Sequence, residues 1–105
     1  MIQPVDPSPI TFTQFVEQGQ KKLALITPLA FTPVLSKGAK QLYVIRDESM
    51  NIHVYATTRE ALMNDLKEQL FFLWDTFGSD EVDPKTLDQG ALACRNELRK
   101  RLREA

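Results

Sequence analysis

Residues 41–77 read QLYVIRDESMNIHVYATTREALMNDLKEQLFFLWDTF, and this stretch decides the fold. Its first half contains two short segments, 41–46 and 52–56, in which every second residue belongs to the same apolar set. Period two is the repeat of a β-strand, because successive side chains point to opposite faces of the sheet. The polar run at 47–51 separates the two segments and predicts a turn. We therefore expect a β-hairpin here.

A helical pattern follows the hairpin without a linker. Thr57 and Glu60 have the spacing of a capping box, in which a Thr hydroxyl bonds the amide three residues on and the Glu reaches back. We expect the helix to span residues 58–77. Gly78 follows it and is predicted to end it as a left-handed C-cap, because glycine adopts positive φ without a steric cost.

The N-terminal third of the chain predicts further strands. Residues 10–16 suit a strand, although their aromatic and Val positions also fit a short helical turn. Residues 17–20 predict a hairpin turn around Gly19, and residues 21–27 predict the next strand. The three prolines within residues 1–9 predict an extended N-terminal arm. Residues 28–40 are the least regular, and the loop at 28–38 is either a packed surface connection or a loop that touches a partner.

A second helix is expected at residues 84–103. Asp83 would be its N-cap and Pro84 would occupy the first helical position, where the missing N–H costs nothing. The order of strands first and helices second predicts an α+β fold. We expect an antiparallel sheet of three or four strands followed by two α-helices, in ββββαα order. Residues 10–105 would form a single domain behind the 1–9 arm.

The composition of the chain limits the classes of protein to which it can belong. The chain has 105 residues, a formal net charge of -1 and one cysteine, so no intrachain disulfide can form. Its longest apolar stretch, residues 23–31, is interrupted by Thr27 and Pro28 and is shorter than the roughly 20 residues that a membrane span needs. The N-terminus does not resemble a signal peptide. We expect a cytoplasmic protein that does not interact with membranes.

The first helix has more aromatic residues than one buried stripe explains. Its apolar stripe consists of Leu62, Leu66, Leu70, Leu73 and Phe77, which fall within a face about 80° wide. Three further aromatic residues lie beside or outside this face, namely Phe71, Phe72 and Trp74. Either the second helix or the N-terminal arm covers them, or they contact another chain. The second hypothesis predicts a homodimer or another protein partner.

The second helix carries a basic ridge of Arg95, Arg99 and Arg103, with Lys100 nearby. Cations in the last turns of a helix interact favourably with its dipole, which is one explanation. The alternative is a contact with nucleic acid or with an acidic partner. Glu97 and Glu104 dilute the positive field, and no aromatic residue is interleaved with it, so the nucleic-acid hypothesis is the weaker one.

No residue pattern predicts catalysis, a metal or a cofactor. His53 is the only histidine and has no Cys or carboxylate at ligand spacing, so a strand histidine of structural role is expected. Cys94 lies on the apolar stripe of the second helix, where a small buried residue is the usual role. The four glycines are scattered and form no phosphate-binding loop. We therefore do not expect an enzyme.

Residues 43–70 resemble the N-terminal domain of HicB-type antitoxins. That family has a strand followed by a Thr-x-x-Glu-Ala helix start, which Thr57, Glu60 and Ala61 match. The Gly-rich segment that precedes the helix in the family is replaced here by residues 51–53. The resemblance implies a sheet-plus-helix module that oligomerises and binds a protein. The sequence thus predicts a non-enzymatic interaction or oligomerisation domain, antitoxin-like in this respect, and its alternative is nucleic-acid binding through the basic helix.

Overall fold

The computed structural model describes residues 8–36 and 42–105, which form an α+β fold with antiparallel sheets. The strands in these residues are β1 (Ile10–Phe12), β2 (Phe15–Gln18), β3 (Lys21–Leu25), β4 (Leu29–Phe31), β5 (Val34–Ser36), β6 (Leu42–Asp47), β7 (Ile52–Ala56) and β8 (Leu102–Glu104). The helices are α1 (Arg59–Leu73), which continues into a π-helical turn (Trp74–Gly78), and α2 (Gln89–Arg101), which follows a short 3₁₀ turn (Pro84–Thr86). The strand orders within the three sheets are β1-β4, β2-β3-β8 and β5-β6-β7.

The predicted central hairpin is confirmed. β6 and β7 pair antiparallel, and on their buried face Ile45 lies opposite Val54, flanked by the buried Tyr43 and Ile52. The turn forms because the Asp47 carboxylate accepts hydrogen bonds from the backbone amides of Ser49 and Met50, at 3.0 and 3.2 Å.

The predicted turn around Gly19 is also confirmed. β2 and β3 pair antiparallel, with Gln18 opposite Lys21, so only two residues connect the strands. Gly19 has a φ of 61°, a conformation that glycine adopts more readily than other residues. β3 then pairs with β8, which brings the last strand of the chain next to the first hairpin.

The number of strands and the ββββαα order predicted from the sequence are wrong. The described residues contain eight strands in three sheets, and the last strand follows both helices. Residues 10–16 do not form one strand but split into β1 and β2, because β1 pairs with β4 while β2 pairs with β3. β4 and β5 lie where an irregular connection was expected. β1 and β4 pair although β2 and β3 lie between them in the chain, and local pattern does not reveal such a pairing.

The helix boundaries differ from the prediction, and α2 also ends at Arg101 instead of residue 103. Thr58 rather than Thr57 is the N-cap of α1, and its hydroxyl accepts from the amide of Ala61 at 3.1 Å. Gly78 is buried within the π-helical turn and is not among the positive-φ residues, so the predicted left-handed C-cap is wrong. The second helix begins after Asp88, whereas Asp83 caps only the 3₁₀ turn.

One face of α1 forms the centre of the core. Leu62, Leu66 and Leu70 are fully buried and lie in the same cluster as Leu98 of α2 and Leu102 of β8. Each such side chain stabilises the fold by roughly 1.5–3 kcal/mol through burial. Within the described residues, neither helix has the length and hydrophobicity that crossing a membrane requires.

Residues 1–7 of the expected N-terminal arm lie outside the described residues, as do residues 37 and 38 of the expected 28–38 loop. The last two residues of the arm contact α1. The backbone carbonyls of Ser8 and Pro9 accept hydrogen bonds from the guanidinium of Arg59, at 2.7 and 3.2 Å. The start of β1 is thereby held against the first turn of α1.

Candidate interaction surface

The structure separates the three aromatic residues that the sequence placed in one interface. Phe71 and Trp74 are each 4% exposed and belong to the core, whereas Phe72 is 64% exposed. Phe71 and Trp74 line a shallow cavity together with Leu23 of β3 and Glu104 of β8, and their low exposure shows that this chain covers both rings. Phe72 is therefore the one member of the trio that is available to a partner.

Phe72 borders a groove between the side of α1 and strand β7. The groove has a volume of about 450 Å³. Both elements contribute to its lining, which includes His53, Tyr55, Asp65, Glu68, Gln69 and Phe72. Tyr55 is 62% exposed, so two large aromatic side chains flank one concave surface. We call this surface the β7–α1 groove.

Strand β7 is an edge strand, and its outer edge faces the groove. Within the described residues it pairs only with β6. The backbone amide of His53 points away from β6 and donates to the side-chain oxygen of Gln69 at 2.8 Å. Outward-pointing backbone groups recur at every second residue of an antiparallel strand, so the N–H and C=O of Tyr55 point the same way. An unpaired edge of this kind accepts another strand.

The α1 side of the groove is acidic. Asp65 and Glu68 precede Phe72 by seven and four residues, so the three side chains share one helical face. Neither carboxylate forms an ion pair or a hydrogen bond with the described part of the chain. No Lys or Arg among the described residues lines the groove. The groove thus combines aromatic side chains, open backbone groups and uncompensated negative charge.

The sequence predicted Phe72 but missed the rest of this surface. Tyr55 lies in a segment for which the sequence predicts only a strand, and no sequence pattern predicts that this strand lies at a sheet edge. The spacing of Asp65, Glu68 and Phe72 at i, i+3 and i+7 is a helical-face signal that could have been found. The position of Gln69 against the backbone of His53 depends on how α1 packs on the sheet.

Two residues of the predicted basic ridge bond to the chain itself. One guanidinium nitrogen of Arg95 donates to the carbonyls of Phe77 and Ser79, at 2.8 and 2.9 Å. Arg99 donates to the carbonyl of Gly78 at 2.7 Å and pairs with Asp80 at 2.8 Å. These carbonyls follow α1, where helical carbonyls lack partners within the helix.

The other two predicted basic residues are placed differently. Lys100 pairs with Glu97 at 3.1 Å, and Arg103 is an exposed residue of β8 rather than of α2. The structure therefore does not bring the four cations together on one free helical face.

Of the two residues considered for catalysis, His53 lines the groove and Cys94 lies in the core. His53 is exposed on β7. Cys94 is buried, its thiol lies 3.5 Å from the carbonyl oxygen of Met50, and burial raises its pKa. A thiol with a raised pKa is a poor nucleophile, because the thiolate is the reactive form. Among the described residues, no group of three or more His, Cys, Asp or Glu side chains is arranged to hold a metal ion.

Comparison of the chain with protein-family models, with curated proteins and with solved structures finds no match. The resemblance of residues 43–70 to HicB-type antitoxins therefore stays a prediction.

Proposed function

We propose that this chain is a non-enzymatic protein-interaction domain whose binding surface is the β7–α1 groove. The exposure of Phe72 beside Tyr55, at a sheet edge with which no other described strand pairs, is the observation that carries the proposal. Aromatic side chains that fill a partner's pocket are the commonest anchors of protein interfaces. Full burial of one such side chain contributes roughly 1.5–3 kcal/mol, which favours a partner that covers it.

The predicted homodimer is one form of this proposal. It would have to use Phe72, because Phe71 and Trp74 are already covered within the chain. An antitoxin-like role is a second form, since the resemblance to HicB-type antitoxins implies a module that oligomerises and binds a protein. Both forms are compatible with an open edge strand, because protein partners commonly add a strand to such an edge.

The solution mass tests self-association through the groove. Light scattering over a concentration series would compare the wild-type chain with the Phe72→Ser variant. If the chain dimerises through the groove, its mass approaches twice 12.0 kDa and the variant stays at 12.0 kDa. Val34→Ser is the matched control, because Val34 is about as exposed as Phe72 but lies on β5, at the opposite edge of the sheet that contains β7. A dimer that survives Phe72→Ser would refute the groove as the interface.

Nucleic-acid binding lacks a comparable observation. Arg95 and Arg99 satisfy carbonyls and a carboxylate of the chain, which leaves Arg103 and the partly neutralised Lys100. If the basic helix did bind nucleic acid, the affinity would fall steeply with salt, because bound cations release counterions from the phosphate backbone. Binding that is undetectable at low ionic strength would remove this alternative.

A further inference from the structure

We infer that the partner in the β7–α1 groove is an extended, basic peptide segment of another protein, which adds as a strand to the edge of β7. The inference rests on the proposed function and names the chemistry of its partner. Three features of the groove each specify one property of the segment, namely its extended backbone, its apolar side chain and its positive charges.

The backbone of β7 specifies an extended segment. The outward amide of His53 is bonded to Gln69, but the carbonyl of His53 and both backbone groups of Tyr55 face the groove. A strand lying there would bond to these groups through the backbone of every second residue. The side chains of those residues would point to the same face as Tyr55, away from α1. The intervening residues would point toward α1.

The exposed face of α1 determines which side chains suit the intervening positions of the bound segment. Phe72 offers an apolar contact, whereas Glu68 and Asp65 lie one and two turns before it. Residues four apart in a helix are separated by about 6 Å, and same-face residues of a strand by about 6.7 Å. The spacing of Phe72 and Glu68 therefore suits a segment that places an apolar residue over Phe72 and a Lys or Arg two positions away, over Glu68. Asp65 can take a further cation.

The charges disfavour a second copy of this chain in the groove. A symmetric dimer uses the same surface on both copies, so Asp65 and Glu68 of each copy would enter one interface. The described lining contains no Lys or Arg that could compensate these four carboxylates. A partner with opposite charge removes the repulsion, and electrostatic complementarity also speeds association.

A short capped peptide provides the test. The probe has the order leucine, threonine, lysine, threonine, lysine, so that its two lysines reach Glu68 and Asp65 when its leucine covers Phe72, and its matched control has glutamate in place of both lysines. Binding to the full-length chain would be measured by isothermal titration calorimetry at low salt. We expect the lysine peptide to bind about tenfold more tightly than the glutamate peptide, because two exposed ion pairs replace two repulsions.

Variants of the chain and of the peptide assign the contacts. The double variant Asp65→Lys and Glu68→Lys should reverse the preference between the two peptides, whereas Glu81→Lys, an exposed change outside the groove, should leave it unchanged. N-methylation of both threonines removes the amides that would bond to β7 and should abolish binding. Equal binding of the two peptides, or tight binding of the N-methylated peptide, would overturn the inference.

The two proposals can fail separately. If the lysine peptide does not bind but the chain forms a dimer that Phe72→Ser disrupts, then a second copy occupies the groove. That result overturns the inference and supports the interaction domain. If neither the peptide binds nor Phe72 affects the solution mass, both proposals are wrong.

Discussion

Arg95 joins the end of the first helix to the second helix, and its removal should destabilise the fold. Its guanidinium donates to the carbonyl of Phe77, which lies in the last turn of the preceding helix, and to the carbonyl of Ser79, which also accepts from the amide of Val82. Arg95→Met removes both hydrogen bonds while keeping an unbranched side chain and a good helix former. The change therefore isolates the loss of the donors from effects of side-chain shape and helix propensity.

The expected loss of stability follows from the two contacts. A hydrogen bond that involves a charged group contributes about 1.5–3 kcal/mol to folding. Both bonds use the same nitrogen and the side chain is half-buried, so water replaces part of their energy. We expect a decrease of about 2 kcal/mol in the free energy of unfolding. For a domain of this size that corresponds to about 8 °C in Tm.

Thermal and urea unfolding, followed by far-ultraviolet circular dichroism, would measure the effect. Arg103→Met is the matched control, because the side chain of Arg103 is exposed and makes no hydrogen bond or ion pair with the described residues. The control should change the free energy of unfolding by less than about 0.5 kcal/mol. If Arg95→Met costs no more than Arg103→Met, the carbonyl contacts of Arg95 do not stabilise the fold.

Two further predictions concern buried groups. A Cβ at Gly78 would lie 2.6 Å from Cε3 of the buried Trp74 ring, so Gly78→Ala should lower the free energy of unfolding in urea by about 1–3 kcal/mol. In the control Gly90→Ala the added Cβ would have its nearest contact at 3.6 Å, so the free energy of unfolding should rise by up to about 1 kcal/mol. A Gly78→Ala variant as stable as the wild type would contradict the tight contact. Burial raises the pKa of Cys94, so a thiol reagent at neutral pH should modify the native chain far more slowly than the urea-unfolded chain. Equal modification rates would show that the thiol is accessible in the native chain.

Local pattern was sufficient where an element is stabilised by its own neighbours. The β6–β7 hairpin, the turn at Gly19 and the apolar face of α1 all follow from side-chain period and turn chemistry, and the structure confirms each of them. The same reasoning failed for α2, because both Asp83 and Asp88 are competent N-caps. Only the residues after the second cap continue as an α-helix.

The different exposure of Phe71 and Phe72 could not be predicted from the sequence. Phe71 and Phe72 are adjacent and both lie off the buried stripe of α1, so helical geometry alone treats both as candidates for a partner contact.

The amino-acid sequence by itself determined the α+β class, the central hairpin and the core face of the first helix, because these follow from side-chain period and turn chemistry, which residues close in the chain set. The tertiary structure alone decided the eight-strand arrangement, the roles of the arginines and the exposure of Phe72 beside the edge of β7. These depend on which distant segments meet. Phe71 packs into the core cluster that includes Leu23 of β3 and Leu102 of β8, whereas its neighbour Phe72 is exposed.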